Sequence, residues 1–234
     1  MKTLQLSIRT IAAVVCVGAL SLALTGNAQN LLTDPGFELQ ISAPNPDPNG
    51  IPGWANFGGA QFLPSTLAHS GNNVLYTPDN GGGYNVPGTY QVFAANPGDT
   101  FTFSGWVYTP NALVSGDNDF AILQLTFFPG APPNNYGGGT GTSFGVNVGD
   151  PASGPAVALP QGVWTYASIT GTAPTGTASM GAYLLDINAD ANADFYFDDM
   201  SLTVNPVPEP ATLSLAGLGL LGILASRMRR LINK

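Results

Sequence analysis

Two neighbouring carboxylates, Asp198 and Asp199, stand inside an alternating apolar run, Phe195-Tyr196-Phe197-Asp198-Asp199-Met200-Ser201-Leu202. In a regular strand alternate side chains share a face, so Asp198 falls with Tyr196, Met200 and Leu202, and Asp199 with Phe195 and Phe197. Unless a bulge intervenes, at least one carboxylate faces apolar surroundings. A buried carboxylate must be compensated by N–H donors, by taking up a proton, or by a cation. Side-chain cations are scarce here. All six Lys and Arg residues are Lys2, Arg9, Arg227, Arg229, Arg230 and Lys234, so residues 29–206 offer only His69.

Other groups could do chemistry and fall short of it. Asp186-Ile187-Asn188-Ala189-Asp190-Ala191-Asn192-Ala193-Asp194 alternates acid and amide like the start of an EF-hand loop. Ala191 stands where that loop needs glycine and Phe197 where it needs a bidentate Glu, so a polar hairpin connection is the better reading. Gly141-Thr142-Ser143-Phe144-Gly145 fits the nucleophile-elbow pattern, which needs a preceding strand, a following helix and a later histidine. A glycine-rich loop precedes it, no helical pattern follows, and His69 comes earlier. A single histidine also argues against catalytic zinc. Carboxylates alone could serve glycoside hydrolysis, but Glu38 and the aspartates belong to strand ends and turns. Among the aromatics, Trp106 and Trp164 sit within strand motifs and read as core. Trp54, Tyr84 and Tyr136 lie among Gly, Pro and Asn and are the candidates for an exposed, sugar-stacking surface.

The charge pattern bounds the partners. The chain carries a net charge of −8, and residues 29–206 hold thirteen of its fourteen carboxylates and no Lys or Arg. Nothing there can neutralise phosphate, which excludes nucleic acid and anionic lipid as partners of this region. The one cysteine, Cys16, lies in an apolar N-terminal run, so the rest of the chain has neither disulfides nor thiol chemistry.

The elements that must position these groups are strands. Short runs rich in Val, Ile, Thr and aromatics alternate with Gly, Pro, Asn and Asp, which predicts an all-β sandwich. Strands are expected around Val74 to Tyr76, Thr89 to Phe93, Phe101 to Val107, Phe120 to Phe128, Trp164 to Thr170, Ser179 to Ile187 and Phe195 to Val204. Two Pro-, Gly- and Asn-rich stretches, 42–53 and 129–141, read as surface loops.

The ends read as addresses. Lys2 and Arg9, the apolar Ile11 to Leu24, and Gly26-Asn27-Ala28 form a secretory signal peptide, residues 1–28, whose removal leaves Gln29 first. At the other end Pro208-Glu209-Pro210 precedes an uncharged, mostly apolar run, Ala211 to Ser226, then Arg227, Arg229 and Arg230. Sixteen helical residues span roughly 24 Å, a short transmembrane helix with its basic end held in the cytoplasm. Residues 207–234 thus resemble the PEP-CTERM sorting signal. The resemblance implies export in a Gram-negative bacterium and transient anchoring in the inner membrane. It also implies processing near the tripeptide by the membrane enzyme exosortase, and a final place at the cell surface or in the extracellular matrix.

Residues 29–206 resemble the CenC-type carbohydrate-binding modules. The resemblance is carried in order by Asn30-Leu31-Leu32 with Gly36-Phe37-Glu38, Pro52-Gly53-Trp54, His69-Ser70-Gly71 with Val74-Leu75-Tyr76, the run Gly98 to Val107, Trp164-Thr165-Tyr166, and Phe195 to Leu202. It implies a galactose-binding-like jelly roll. It also implies a structural calcium between opening and closing strands, which by position would take Glu38 with Asp198 or Asp199. An all-oxygen donor set in an exported protein suits calcium. The alternative is a set of edge carboxylates bonded to backbone amides.

Three functions follow as expectations. They are a non-catalytic module binding exopolysaccharide or cell-surface glycan, a structural or adhesive matrix component, and a divergent glycoside hydrolase. A row of solvent-facing aromatics would favour the first and its absence the second. Two carboxylates facing each other across a cleft would favour the third.

Overall fold

The computed structural model describes residues 29–39, 53–78, 85–113, 119–130, 141–149, 156–187 and 193–205. Eleven strands make up its regular structure: β1 (Ala55–Phe57), β2 (Gln61–Pro64), β3 (Asn73–Thr77), β4 (Gly88–Ala94), β5 (Thr100–Tyr108), β6 (Phe120–Phe128), β7 (Thr142–Val148), β8 (Ala156–Val157), β9 (Thr165–Thr172), β10 (Ser179–Ile187) and β11 (Phe195–Asn205). They form a six-stranded sheet in the order β1-β4-β10-β6-β7-β8 and a five-stranded sheet in the order β2-β3-β11-β5-β9. Without the short β1, β2 and β8, the chain crosses between sheets at every connection but the β6–β7 hairpin. The resulting orders, β4-β10-β6-β7 and β3-β11-β5-β9, are those of a jelly roll. The expected fold class is the one found. Among the described residues no helix is long and apolar enough to cross a membrane. The predicted helices at 1–28 and 211–226 lie outside the described residues.

The core fills the space between the sheets. Phe101 and Phe103 of β5, Leu123 and Leu125 of β6, Met180 and Leu184 of β10, and Phe195, Phe197, Met200 and Leu202 of β11 are almost fully buried. Each large side chain removed from water contributes about 1.5–3 kcal/mol, against the entropy of ordering the chain. The inward residues of β11 change parity, from odd numbers before Asp198 to even numbers after it. A β-bulge is the cause. Asp198 pairs with Trp106 and Ser201 with Ser104, so Asp199 and Met200 together stand opposite Gly105. Asp199 takes φ 49° to accommodate the extra residue. A Cβ on Gly105 would stand 2.3 Å from the Met200 sulfur, so glycine leaves the room that Met200 fills.

The opening segment closes the gap that β3 leaves. β3 pairs with β11 only from Phe195 to Phe197. Beyond the bulge the Met200 amide donates to the Pro35 carbonyl at 2.8 Å, and the Leu31 amide to the Leu202 carbonyl at 2.8 Å. The Asn30 side chain bridges the same stretch, accepting from the Leu202 amide and donating to the Met200 carbonyl.

Candidate functional site: an aromatic strip on the five-stranded sheet

Strand register brings aromatic residues of four elements into two adjacent rows on the outward face of the five-stranded sheet. Tyr76, Tyr196 and Tyr108 are successive cross-strand partners, and Trp164, just before β9, sits beside Tyr108. Two residues further along β5, Trp106 pairs with Tyr166. Ring centroids follow one another at 5.0 Å from Tyr76 to Tyr196, 5.8 Å to Tyr108 and 5.3 Å to Trp164. Trp106 and Tyr166 are 5.5 Å apart and edge-on. His69 links the rows, stacking on Trp106 at 4.2 Å and meeting Trp164 edge-on at 5.5 Å. The strip is half-buried along most of its length, and Tyr166 is 53% exposed.

The loop 65–72 pins the strip to the bulge. The Trp164 indole N–H donates to the Leu67 carbonyl at 2.9 Å. Asp198, on the outward face yet wholly buried, accepts the amides of His69 at 2.8 Å, Ser70 at 3.0 Å and Asp199 at 2.7 Å. Burial pushes its carboxyl above the usual 3.8, with the neighbouring Asp199 charge adding to the rise, while the three amides pull the other way. Asp199 accepts the Ser70 hydroxyl at 2.6 Å and pairs with His69 Nδ1 at 2.7 Å. Glu38 takes the Asn72 and Asn73 amides at 2.8 and 3.0 Å. A Cβ on Gly71 would stand 2.1 Å from Glu38 Oε1, so only glycine, here at φ 62°, admits the carboxylate.

The structure redistributes the residues singled out from the sequence. Trp54 is not an exposed platform. It is 8% exposed, packs against Phe37 at 5.4 Å and donates its indole N–H to the Asp34 carbonyl at 3.0 Å. Burying a large ring gains more than exposing it, and a nearby carbonyl satisfies its one polar atom. Trp106 and Trp164 are displaced the other way, from the expected core to the outward strip. Alternation along β5 puts Trp106 on the side opposite Phe101, Phe103 and Val107, and it is the latter side that the second sheet covers. Tyr84 and Tyr136, and the sorting residues Pro208, Glu209, Pro210, Arg227, Arg229 and Arg230, lie outside the described residues. Ser143 lies within β7, its hydroxyl 2.9 Å from that of Thr126, and the next described element is the strand β8. His69 is held by Asp199 on the opposite sheet.

For the expected calcium, the two aspartates are brought together and Glu38 is set apart from them. Asp199 Oδ1 and Asp198 Oδ1 lie 3.7 and 3.9 Å from where a Cβ on Gly36 would stand, ordinary contact distances, and Glu38 Cγ lies 3.9 Å from the same point with its carboxylate turned to the 65–72 loop. Adjacent hard oxygen donors without a Lys or Arg partner fit calcium by charge and donor type. Glu38 spends its carboxylate on the amides of Asn72 and Asn73. Among the described residues no three His, Cys, Asp or Glu side chains gather into a metal cluster.

Among solved structures the chain is similar to TmCBM61 in complex with beta-1,4-galactotriose, at 15% identity and TM-score 0.45, over 76% of this chain and 100% of that one. It is similar to Family 16 Carbohydrate Binding Module-2 at 19% identity and TM-score 0.47, over 74% and 99% of the two chains. A cyclase from Fischerella sp. TAU is as similar in shape, at 14% identity and TM-score 0.47, over 78% and 100%. No curated protein matches the sequence. Residues 206–230 match the PEP-CTERM protein-sorting motif, which marks the chain as an exported protein processed at the membrane by exosortase and bound for the cell surface.

Proposed function

We propose that this is a non-catalytic glycan-binding protein of the cell surface, with the aromatic strip as its binding face. The observation that carries the reading is the pair of partly exposed ring rows, Tyr76 to Trp164 and Trp106 to Tyr166, joined through His69. Aromatic faces bury the apolar C–H faces of pyranose rings, and nearby carboxylates and amides hold the hydroxyls. The absence of an assembled nucleophile and base at Ser143 and His69 supports a binding role. So does the adjacency of Asp198 and Asp199 on one strand, where two glycosidase carboxylates would have to face each other across a substrate. The wider setting we propose is the exopolysaccharide or biofilm matrix of a Gram-negative bacterium, reached after a temporary hold in the inner membrane.

A glycan array probed with residues 29–206 and with Trp106→Ala tests the reading. Selective wells that fade in the variant are expected. Uniformly blank wells would sink it and leave a structural matrix component. We propose calcium at Asp198 and Asp199 as a structural ion, stabilising the bulge and the loop above it. Running the array with and without calcium shows whether the ion also supports binding.

A further inference from the structure

Resting on the glycan-binding reading, we infer that the strip's ligand carries free amino groups, as in a de-N-acetylated amino-sugar polymer, and is not an acidic polysaccharide. The first observation is electrostatic and concerns the whole region. Residues 29–206 carry thirteen carboxylates and no Lys or Arg. A glycan bearing uronate or sulfate would approach this face against its field, with no guanidinium or ammonium to receive it. The one imidazole on the face, His69, already has Nδ1 on Asp199.

The second observation is local. The strip is bracketed by carboxylates. At one end Asp194 Oδ1 accepts the Tyr76 hydroxyl at 2.8 Å. The adjoining Tyr196 hydroxyl is pushed up by burial first, and then by the charge of Asp194 and by Tyr108. At the other end Asp199, with a third of its side chain exposed, stands beside His69 and Trp106. The two carboxylates stand five residues apart along the chain, roughly 16 Å on an extended strand. An ammonium seated at either end would therefore meet one negative charge and an aromatic ring beside it, both of which favour it. A neutral sugar would use only the rings.

The test measures binding of the exported chain to a chitosan hexamer, the corresponding chitin hexamer, an alginate oligomer of similar length and polylysine. Chitosan is expected to bind about tenfold more tightly than chitin, and alginate not at all. Raising salt to about 0.5 M should weaken chitosan binding roughly tenfold and leave chitin binding unchanged. Asp194→Asn, which keeps an acceptor for the Tyr76 hydroxyl, should weaken chitosan by about three- to fivefold and spare chitin. Equal, salt-independent affinity for chitin and chitosan, lost in Trp106→Ala, would overturn this inference while the glycan reading stood. Polylysine binding as strongly as chitosan, with Trp106→Ala harmless, would overturn it as mere charge attraction. Failure to bind any sugar would remove the glycan reading itself.

Discussion

Both sheets of the sandwich carry tyrosines on their outward faces, and one of them, Tyr183, ends in the opposite condition from the tyrosines of the five-stranded sheet. On the six-stranded sheet Tyr90 and Tyr183 stack at 5.2 Å, and Tyr183 is only 3% exposed. Its ring folds over Gly181, where a Cβ would stand 2.4 Å from the Tyr183 ring. On the five-stranded sheet the tyrosines meet other rings tilted or edge-on, and Tyr76, Tyr108 and Tyr196 stay partly exposed. Residue type therefore does not make a binding surface. A glycine beside a ring lets it lie down and bury itself, whereas rings that meet tilted or edge-on in a row stay partly exposed, with His69 lying on one face of Trp106. Tyr183 belongs to stability, and the strip on the five-stranded sheet is the face proposed above for a ligand.

Substitutions can break that contrast. The largest effect on stability is expected from Tyr183→Ala, about 3 kcal/mol by urea unfolding, because a nearly buried ring is lost. Glycan affinity should not change, and a parallel loss of binding would mean that the two faces are not separate. Asp198→Asn comes next, at about 2 kcal/mol, because its NH2 would face an amide donor where a carboxylate oxygen now accepts one. The pH dependence should change with it. Asp198 has a folded value above 3.8, so the native state takes up its proton first. Its contribution therefore becomes more favourable as pH falls from the raised value toward 3.8, and the variant should lack that gain.

Trp106→Ala probes the other side of the contrast. Unfolding should shift by only about 1 kcal/mol, since the ring is half-exposed, while glycan affinity falls about tenfold or more. A variant that unfolds readily yet binds normally would return Trp106 to a purely packing role. In alkali the buried Tyr183 should betray itself. The Tyr183 hydroxyl is pushed up to about 12 from 10.0 by burial, with Tyr90 adding to it. Stability from that group is complete below pH 10 and is lost as pH climbs toward 12, on the order of 1–3 kcal/mol. Tyr183→Phe should flatten this slope, as judged by urea unfolding across that pH range. The smallest shift is expected from calcium, a rise of a few degrees in melting temperature at saturation that Asp198→Asn abolishes. Superimposable curves with calcium and with chelator would remove the ion from the account.

The local pattern of the sequence carried the architecture. Period-2 runs punctuated by Gly, Pro and Asn place the strands, since alternation and turn chemistry are properties of neighbours in the chain. The confinement of all Lys and Arg to the two ends is likewise plain from composition, and it bounds the partners before any fold is known. The need to compensate a carboxylate in the closing strand was legible too, because no local cation was available.

Tertiary structure alone decided which face of each strand was covered, and how the carboxylate was compensated. Alternation assigns Trp106 to one side of β5 and Phe103 to the other, but only the second sheet makes one of those sides an interior. Trp54 and Trp106 exchanged expected roles for that reason. The bulge at Asp199 is the sharper case, because one extra residue reversed the parity of β11 and set Asp198 apart from Met200 and Leu202. Two of its three amides come from His69 and Ser70, some 130 residues earlier in the chain. No pattern among neighbours encodes a donor that distant. Packing two sheets around one core brought it within 3 Å.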